Sequence, residues 1–199
     1  MCILFAVAFA ATVPFIDMWE EIDDADCHLK ECKNICLRVY QGVGKVEPNF
    51  AKNIAHLKGK AVNISAYMTP SNKVTPEKQV AEVVAAIKNV TLTYFWVSVE
   101  GSDWSMNHED NVNFLKKLLA ELAKVKLVVG IQTDMMRWGR IMGRSTADFS
   151  KYPLWNIHQD NNPENTQFRP FGGWRAPKAK QYKGSAERCG DTVNLDSLF

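Results

Sequence analysis

The chain has 199 residues, which is enough for one domain with a substantial core. Aromatic residues make up 11% of it and charged residues 23%, a composition that excludes a disordered polymer. The formal net charge of +2 is too small to indicate nucleic-acid binding, although it is compatible with an anionic polymer as a partner.

Residues 1–13 form an apolar segment that is too short to span a bilayer as a stable helix. Ala8-Phe9-Ala10 is a small-x-small pattern that a signal peptidase accepts, so we expect a signal peptide over 1–10 and one mature domain over 11–199. No Lys or Arg precedes the apolar run, and the alternative is a buried first strand. The N-glycosylation triplets at Asn63 and Asn89 favour secretion, to the extracellular space, a lysosome or a gut lumen.

Removal of the signal peptide would leave four cysteines, an even number that allows three pairings: Cys27, Cys32, Cys36 and Cys189. A Cys27–Cys189 bond is the favoured pairing, because it would tie the two ends of the domain together. Cys36 lies in a strand-like segment, where a free thiol behaves as a small apolar residue. No cysteine or histidine spacing is typical of zinc, so we expect neither a metal site nor a cofactor.

Apolar periodicity predicts alternating strands and helices along the first two thirds of the chain. Such alternation favours an α/β fold with a parallel sheet or barrel, whereas helical periodicity is absent from Pro153 onward. In chain order, the predicted elements are a strand ending at Asp17, an acidic turn or helix start over 20–26, a strand over 35–40, a helix over 48–58, a strand over Val62–Met68, a helix over Pro76–Lys88, a strand over Tyr94–Glu100, a helix ending near Lys124 and a strand over Lys126–Ile131.

The strand over Tyr94–Glu100 carries the first candidate site residue. Side chains repeat every two residues along a strand, so Trp96, Ser98 and Glu100 share one face, with Glu100 at the C-terminal end. In parallel α/β folds, sites are built at that end. The alternative is a strand-end glutamate that simply returns to solvent.

An ordered set of short motifs resembles glycoside hydrolase family 25, and most closely its nematode and amoeba lysozymes. The resemblance extends over nearly the whole mature chain. The motifs are Leu37-Arg38-Val39-Tyr40-Gln41, Tyr67-Met68, Trp96-Val97-x-Val99-Glu100-Gly101, Trp138, Pro153-Leu154-Trp155, Asp160-Asn161-Asn162-Pro163, Pro170-Phe171-Gly172-Gly173-Trp174, Lys180-Gln181-Tyr182-Lys183-Gly184 and Cys189-Gly190.

This resemblance implies a secreted N-acetylmuramidase that cuts the β-1,4 bond of peptidoglycan, in antibacterial defence or in the digestion of bacteria. It implies a modified TIM-like (β/α) barrel with a helix-poor C-terminal third and a site at the C-terminal strand ends. The implied partner is peptidoglycan or a related glycan, with no nucleic acid, no membrane for the mature form, and a monomeric state. The substrate-binding positions it implies are Ser98, Tyr40, Tyr67, Trp104, Trp155 and Asn194.

The catalytic carboxylates of the family map onto this chain only in part. The first falls on Asp17, the paired Asp-x-Glu falls on Ser98 and Glu100, and a further acidic position falls on Asn194. A glycosidase needs one carboxylic acid to protonate the leaving oxygen and a second charge beside the oxocarbenium-like state. Glu100 can be the acid and Asp17 the second charge, with Asp103 and Asp191 as alternatives for the latter.

Three hypotheses follow. The first is a lysozyme that uses Glu100 and Asp17. The second is a catalytically impaired glycan-binding protein that keeps the cleft, because Ser98 and Asn194 carry no charge. The third is a scaffold without a glycan ligand. Aromatic platforms on which sugars could stack are offered by Trp19, Trp104, Trp138, Trp155 and Trp174.

Overall fold

The computed structural model describes residues 12–145 and 147–199, so the predicted signal peptide at 1–10 lies outside the described residues. Five helices occur in this part of the chain: α1 Ala25–Glu31, α2 Pro48–Leu57, α3 Pro76–Ile87, α4 His108–Leu122 and α5 Met135–Met142. Nine strands accompany them: β1 Val13–Met18, β2 Asn34–Gln41, β3 Lys45–Val46, β4 Asn63–Met68, β5 Phe95–Ser98, β6 Val129–Thr133, β7 Leu154–Ile157, β8 Ala179–Arg188 and β9 Asp191–Leu198.

Eight of these strands close into a barrel in the order β1-β2-β4-β5-β6-β7-β8-β9, and β3 is a two-residue arm paired with β2. Neighbouring strands from β1 to β8 run parallel, whereas β9 runs antiparallel to both β8 and β1 and completes the ring. No helix follows α5 among the residues described up to 199, and residues 158–178 connect β7 to β8. The predicted modified TIM-like barrel with a helix-poor C-terminal third is therefore confirmed.

Aromatic rings from non-adjacent strands meet in the barrel interior. Trp155 on β7 is fully buried, and its ring centroid lies 5.3 Å from that of Phe15 on β1 and 5.5 Å from that of Trp96 on β5. Gly130 on β6 makes room for these rings, because a Cβ atom there would lie 2.3 Å from the ring of Trp96. The polar side chains at the C-terminal end of the barrel therefore rest on an apolar floor.

Most predicted elements lie where the periodicity placed them, but three strands have other bounds and one helix was not predicted. The predicted strand over Tyr94–Glu100 is shorter, because the chain leaves the ladder after Ser98, so Glu100 follows the strand. The predicted strand over Lys126–Ile131 begins later, at Val129, because the preceding residues form the turn that follows α4 and Lys126 is exposed. Helix α5 was not predicted, since its apolar stripe of Trp138, Ile141 and Met142 is too short to show periodicity. Asp17 lies inside β1, which continues to Met18, and not at the strand's end.

A disulfide joins α1 to the turn between β8 and β9, as the favoured pairing predicted. Cys27 and Cys189 are bonded across a sequence separation of 162 residues, whereas Cys32 and Cys36 are buried free thiols. A buried contact lies beside the bond, where His28 Nε2 is 2.7 Å from Asp191 Oδ2. The helix after β1 is thus fixed to the last hairpin.

We expect loss of the disulfide to lower the free energy of unfolding by about 2–5 kcal/mol, because the bond restricts an unfolded loop of this length. Chemical denaturation of the wild type and of a Cys27→Ala/Cys189→Ala double variant measures the difference. Reducing agent should destabilise the wild type and leave the double variant unchanged. Equal stability of the two oxidised proteins would contradict the expectation.

Candidate active site

A pocket of about 360 Å³ opens at the C-terminal end of the barrel, and Asp17 and Glu100 both line it. Glu100 follows the last residue of β5 by two positions, and the buried Val99 between them keeps the chain in line by donating its N–H to the carbonyl of Gln132 at 2.8 Å. Gly101 then turns the chain away with a φ of +81°, a conformation that favours glycine. The local sequence therefore presents the Glu100 side chain at the pocket wall.

Glu100 is held from both sides and remains accessible, with 33% of its side chain exposed. The Ser98 hydroxyl donates a hydrogen bond to Glu100 Oε1 at 3.0 Å. Trp104 donates its indole N–H to the Glu100 carbonyl oxygen at 2.8 Å, which fixes the backbone. Arg137 on α5 brings a cation to the edge of the pocket, with its Nε 4.0 Å from Glu100 Oε2.

Asp17 lies at the bottom of the same pocket and is only 1% exposed. Asn194 Nδ2 donates to its Oδ1 at 3.0 Å, and Gln181 Nε2 donates to its Oδ2 at 2.8 Å. Burial raises the pKa of Asp17 to about 6, although these hydrogen bonds oppose the rise and the negative charge of Glu100 adds to it. Two carboxyl groups with very different exposure therefore share one pocket.

Of the remaining predicted substrate-binding positions, two line this pocket and a third lies directly behind its wall. Tyr67 lines it while being 5% exposed, and Asn194 lines it from β9. Ser98 lies fully buried behind Glu100, which it contacts through its hydroxyl.

Tyr40, Trp104 and Trp155 do not line the pocket. The register of β2 against β4 shifts between Arg38 and Tyr40, so Tyr40 leaves the face of Arg38, and its hydroxyl donates to Glu82 on α3 at 2.9 Å. Trp104 packs edge-on against a phenyl ring of α4 at 5.8 Å. Trp155 lies beneath the pocket in the aromatic floor, where no part of it is exposed.

Among the five tryptophans considered as sugar platforms, Trp19 is the one that lines the pocket. The guanidinium of Arg38 lies over its ring at 5.5 Å, and Glu47 pairs with the same guanidinium at 2.6 Å. Trp138 and Trp174 instead pack against each other inside the core, with ring centroids 4.8 Å apart. Trp19 is therefore the tryptophan ring available at the pocket wall.

The two alternative acids, Asp103 and Asp191, lie elsewhere. Asp103 lines an adjoining cleft together with Glu100, and its carboxylate is 3.9 Å from the ammonium group of Lys73. Asp191 is buried against His28 beside the disulfide. Of the acids that sequence reasoning considered, Asp17 is the one that shares the pocket with Glu100.

Sequence reasoning missed Asp196, Gln181 and Arg137. Asp196 is fully buried next to Asp17, and alternation along a strand could have found it, since residues 194 and 196 share one face. Gln181 was quoted only as part of a motif, and Arg137 lies on the helix that was not predicted. Neither residue type carries a distinctive signal in a single sequence.

Two further clefts adjoin the pocket on either side. One of about 640 Å³ shares Arg137, Ile157 and Gln159 with it, and one of about 330 Å³ shares Arg38, Thr69 and Glu100. The carboxylate pocket thus lies in the middle of an extended groove, a shape suited to a polymer passing over two carboxyl groups.

Within the described ranges, no cluster of three His, Cys, Asp or Glu side chains has the geometry to hold a metal ion. Over those same residues, no helix has the length and apolarity needed to cross a membrane.

Comparisons of the sequence and of the fold with known proteins agree with each other. A family profile described as "Lysozyme-like protein 1" matches residues 11–182. "Probable GH family 25 lysozyme 2" of Dictyostelium discoideum is 32% identical over 80% of this chain and 77% of its own length. "Probable GH family 25 lysozyme 4" of the same organism is 30% identical over 96% of this chain and 93% of its own length.

Among solved structures, the modular autolysin LytC from Streptococcus pneumoniae, in complex with a synthetic peptidoglycan ligand, has a TM-score of 0.77. The match covers 94% of this chain and 47% of LytC at 17% sequence identity, so it shows a shared fold. Together with the matches in sequence, the closed barrel and its groove establish that the chain belongs to the glycoside hydrolase family 25 lysozymes.

Proposed function

We propose that this protein hydrolyses the β-1,4 glycosidic bond of bacterial peptidoglycan, with Glu100 as the general acid and Asp17 as the second carboxylate. The observation that carries the proposal is that both carboxyl groups line one pocket in the middle of an extended groove. The names of the Dictyostelium relatives and the peptidoglycan ligand of LytC support the same substrate class.

The geometry suits each carboxyl group to a different task. Glu100 is accessible and can donate its proton to the glycosidic oxygen as the bond to the anomeric carbon breaks. Asp17, held by two amide donors, supplies negative charge beside the positive charge that develops on the sugar ring. A water molecule then adds to the anomeric carbon and returns a proton to Glu100.

Neutral donors stand at the two positions where the family resemblance implies acids. Ser98 orients Glu100 through a hydrogen bond, and Asn194 orients Asp17, but neither side chain adds negative charge. Loss of one preorganised electrostatic group commonly lowers a rate by ~10²–10³. We therefore propose that turnover is slower than in a lysozyme that retains all of these carboxylates.

The biological setting is part of the proposal. We infer a secreted monomer, cleaved after residue 10, that acts in antibacterial defence or in the digestion of bacteria. The glycosylation triplets agree with secretion, because Asn63 and Asn89 are both exposed. Asn63 is the first residue of β4 and so lies at the barrel end opposite the pocket, where an attached glycan would leave the groove open.

Replacement of Glu100 by Gln should lower the rate of wall hydrolysis by ~10²–10⁴-fold, because the amide keeps the shape of the side chain but has no proton to donate. The measurement is the release of new N-acetylmuramic acid reducing ends from purified bacterial walls.

Glu109→Gln is the matched control, since Glu109 is an exposed residue in the first turn of α4 and lies outside the pocket. It should keep wild-type turnover. Equal rates for the wild type and Glu100→Gln would remove Glu100 from the proposed role.

Activity should rise with pH through about 6, the pKa of Asp17, because Asp17 must be ionised to stabilise positive charge. The folded pKa is raised, so the ionised form is lost as the pH falls through that value. The measurement is the pH profile of wall hydrolysis at constant ionic strength.

The Gln181→Leu variant tests whether Asp17 is the group that determines the acid limb of the pH profile, the range in which activity rises with pH. It removes a hydrogen bond that lowers the pKa of Asp17, so the limb should move to higher pH by about one unit. An unmoved limb would assign the titration to another group.

A second candidate function is glycan binding without turnover, and the neutral side chains of Ser98 and Asn194 favour it. In that case the protein should sediment with insoluble peptidoglycan and release no reducing ends. Trp19→Ala should weaken this binding by about tenfold, because it removes the tryptophan ring at the pocket wall. Val128→Ala, an exposed apolar position just before β6, should bind as the wild type does. Failure of the wild type to sediment would exclude this candidate.

A further inference from the structure

A third carboxyl group lies below the pocket, against the aromatic floor. Asp196 on β9 is fully buried, and its Oδ1 accepts a hydrogen bond from the indole N–H of Trp155 at 2.9 Å. No N–H or O–H donor among the described residues reaches its buried Oδ2. A buried carboxylate oxygen without a hydrogen-bond donor costs free energy of folding, unless the carboxyl group is protonated.

The neighbour of that orphaned oxygen is the carboxyl group of Asp17, which lies close enough for the two side chains to share a hydrogen bond if one of them is protonated. Two ionised carboxylates cannot bond to each other, because both only accept, so one of them must supply a proton. Asp17 already accepts an amide N–H on each oxygen. Asp196 has a donor on one oxygen only, and it is therefore the group that carries the proton.

Strand register explains how the pair forms. β9 runs antiparallel to β1, with Asn194 opposite Asp17 and Asp196 opposite Phe15. Asn194 and Asp196 lie on one face of β9, the first at the pocket and the second one layer deeper, against the aromatic floor. β9 thus keeps an acidic group beside Asp17, but below the pocket instead of at its rim.

We propose that Asp196 is a positioning residue that retains its proton at neutral pH and donates it to Asp17, so that the pair carries a single negative charge. Three donors, Asn194, Gln181 and Asp196, then fix the Asp17 carboxylate. The effect on hydrolysis rests on the proposed function, whereas the location of the proton does not.

Other titratable groups around the pair agree with this distribution of charge. Burial raises the pKa of Asp196 well above its usual range, and the charge of Asp17 raises it further. Cys36 on β2 and Tyr67 on β4 also face the pair, and burial raises the pKa of both well above their usual ranges, so they stay neutral at neutral pH. Cys32 after α1 and Tyr182 on β8 also lie near the pair, and burial raises the pKa of each. Glu100 faces Asp17 from the other side of the pocket, and its negative charge raises the pKa of Asp17.

Asp196→Asn is the direct test, because an amide keeps the shape, an acceptor for Trp155 and an N–H donor for Asp17, but does not titrate. An acid whose folded pKa is raised loses stability as the pH rises from its unfolded value towards its folded value. Above about pH 6, where Asp17 is already ionised, the wild type should therefore continue to lose thermal stability with a slope of one proton. Asp196→Asn should show no such slope.

Asp103→Asn is the matched control, since it makes the same chemical change at a partly exposed acid outside the pocket. Its stability should follow the wild-type slope. Parallel pH dependence of the wild type and Asp196→Asn between pH 6 and 8 would overturn the proposal.

Infrared spectroscopy of the wild type keeps the proposal falsifiable even if the variant fails to fold. The carbonyl stretching band of a neutral carboxylic acid should be present at pH 7 and absent from folded Asp196→Asn. Absence of the band from the wild type at pH 7 would overturn the proposal without reference to any variant.

Rates of wall hydrolysis distinguish a positioning role of Asp196 from a role in folding alone. Asp196→Asn should retain activity to within about tenfold, because one neutral hydrogen bond replaces another, whereas Asp196→Ala removes the donor and should lose more. Equal activity of the two variants would overturn the positioning role. If the wild type releases no reducing ends at all, the proposed function fails, and the stability and infrared measurements still decide where the proton lies.

Discussion

The site depends on the antiparallel insertion of β9 between β8 and β1. The other seven barrel strands all run parallel, with their C-terminal ends towards the pocket, so a final parallel strand would bring only its last residues there. Because β9 runs the other way, its early residue Asn194 reaches the pocket and meets Asp17 across the ladder. Asp196 follows one layer deeper. The strand that closes the ring therefore also brings Asn194 and Asp196 to Asp17.

Electrostatically, the pocket combines two carboxyl groups in opposite surroundings. Glu100 is partly exposed, accepts a serine hydroxyl and has a guanidinium at its edge, whereas Asp17 is enclosed by amides above an aromatic floor. Burial raises the pKa of Asp17 and hydrogen bonding lowers it, and the result is a pKa of about 6. The charge of Asp17 therefore changes between mildly acidic and neutral pH. The substitutions implied at positions 98 and 194 remove negative charge while keeping hydrogen bonds in place.

Features that depend on residues close together in the sequence, such as the bounds of a helix, could be predicted from the sequence. The helix over Pro76–Lys88 was predicted from apolar residues at helical spacing, and the structure shows Thr75 capping its start. Glu100 was predicted by a buried strand that ends in a carboxylate. The roles of Tyr40 and Trp155, and the position of Asp196 below the pocket, could not be predicted in this way. A bulge in β2 turns Tyr40 towards α3, a strand buried on both faces does not reveal which face is the barrel interior, and nothing in the spacing of β9 announces that it runs antiparallel.

The pairing of β1 with β9 also constrains when the protein can fold during its synthesis. Residues Asp17 and Asn194 are hydrogen-bonded neighbours in space but lie at opposite ends of the described chain. Residue 194 must therefore have left the ribosome before the ring can close. Until then, β1 and β8 each have one edge without a strand partner. Contacts of such long range also make closure slow. The nascent chain accordingly passes through a state with two unpaired strand edges, which is the stage at which a chaperone would protect it best.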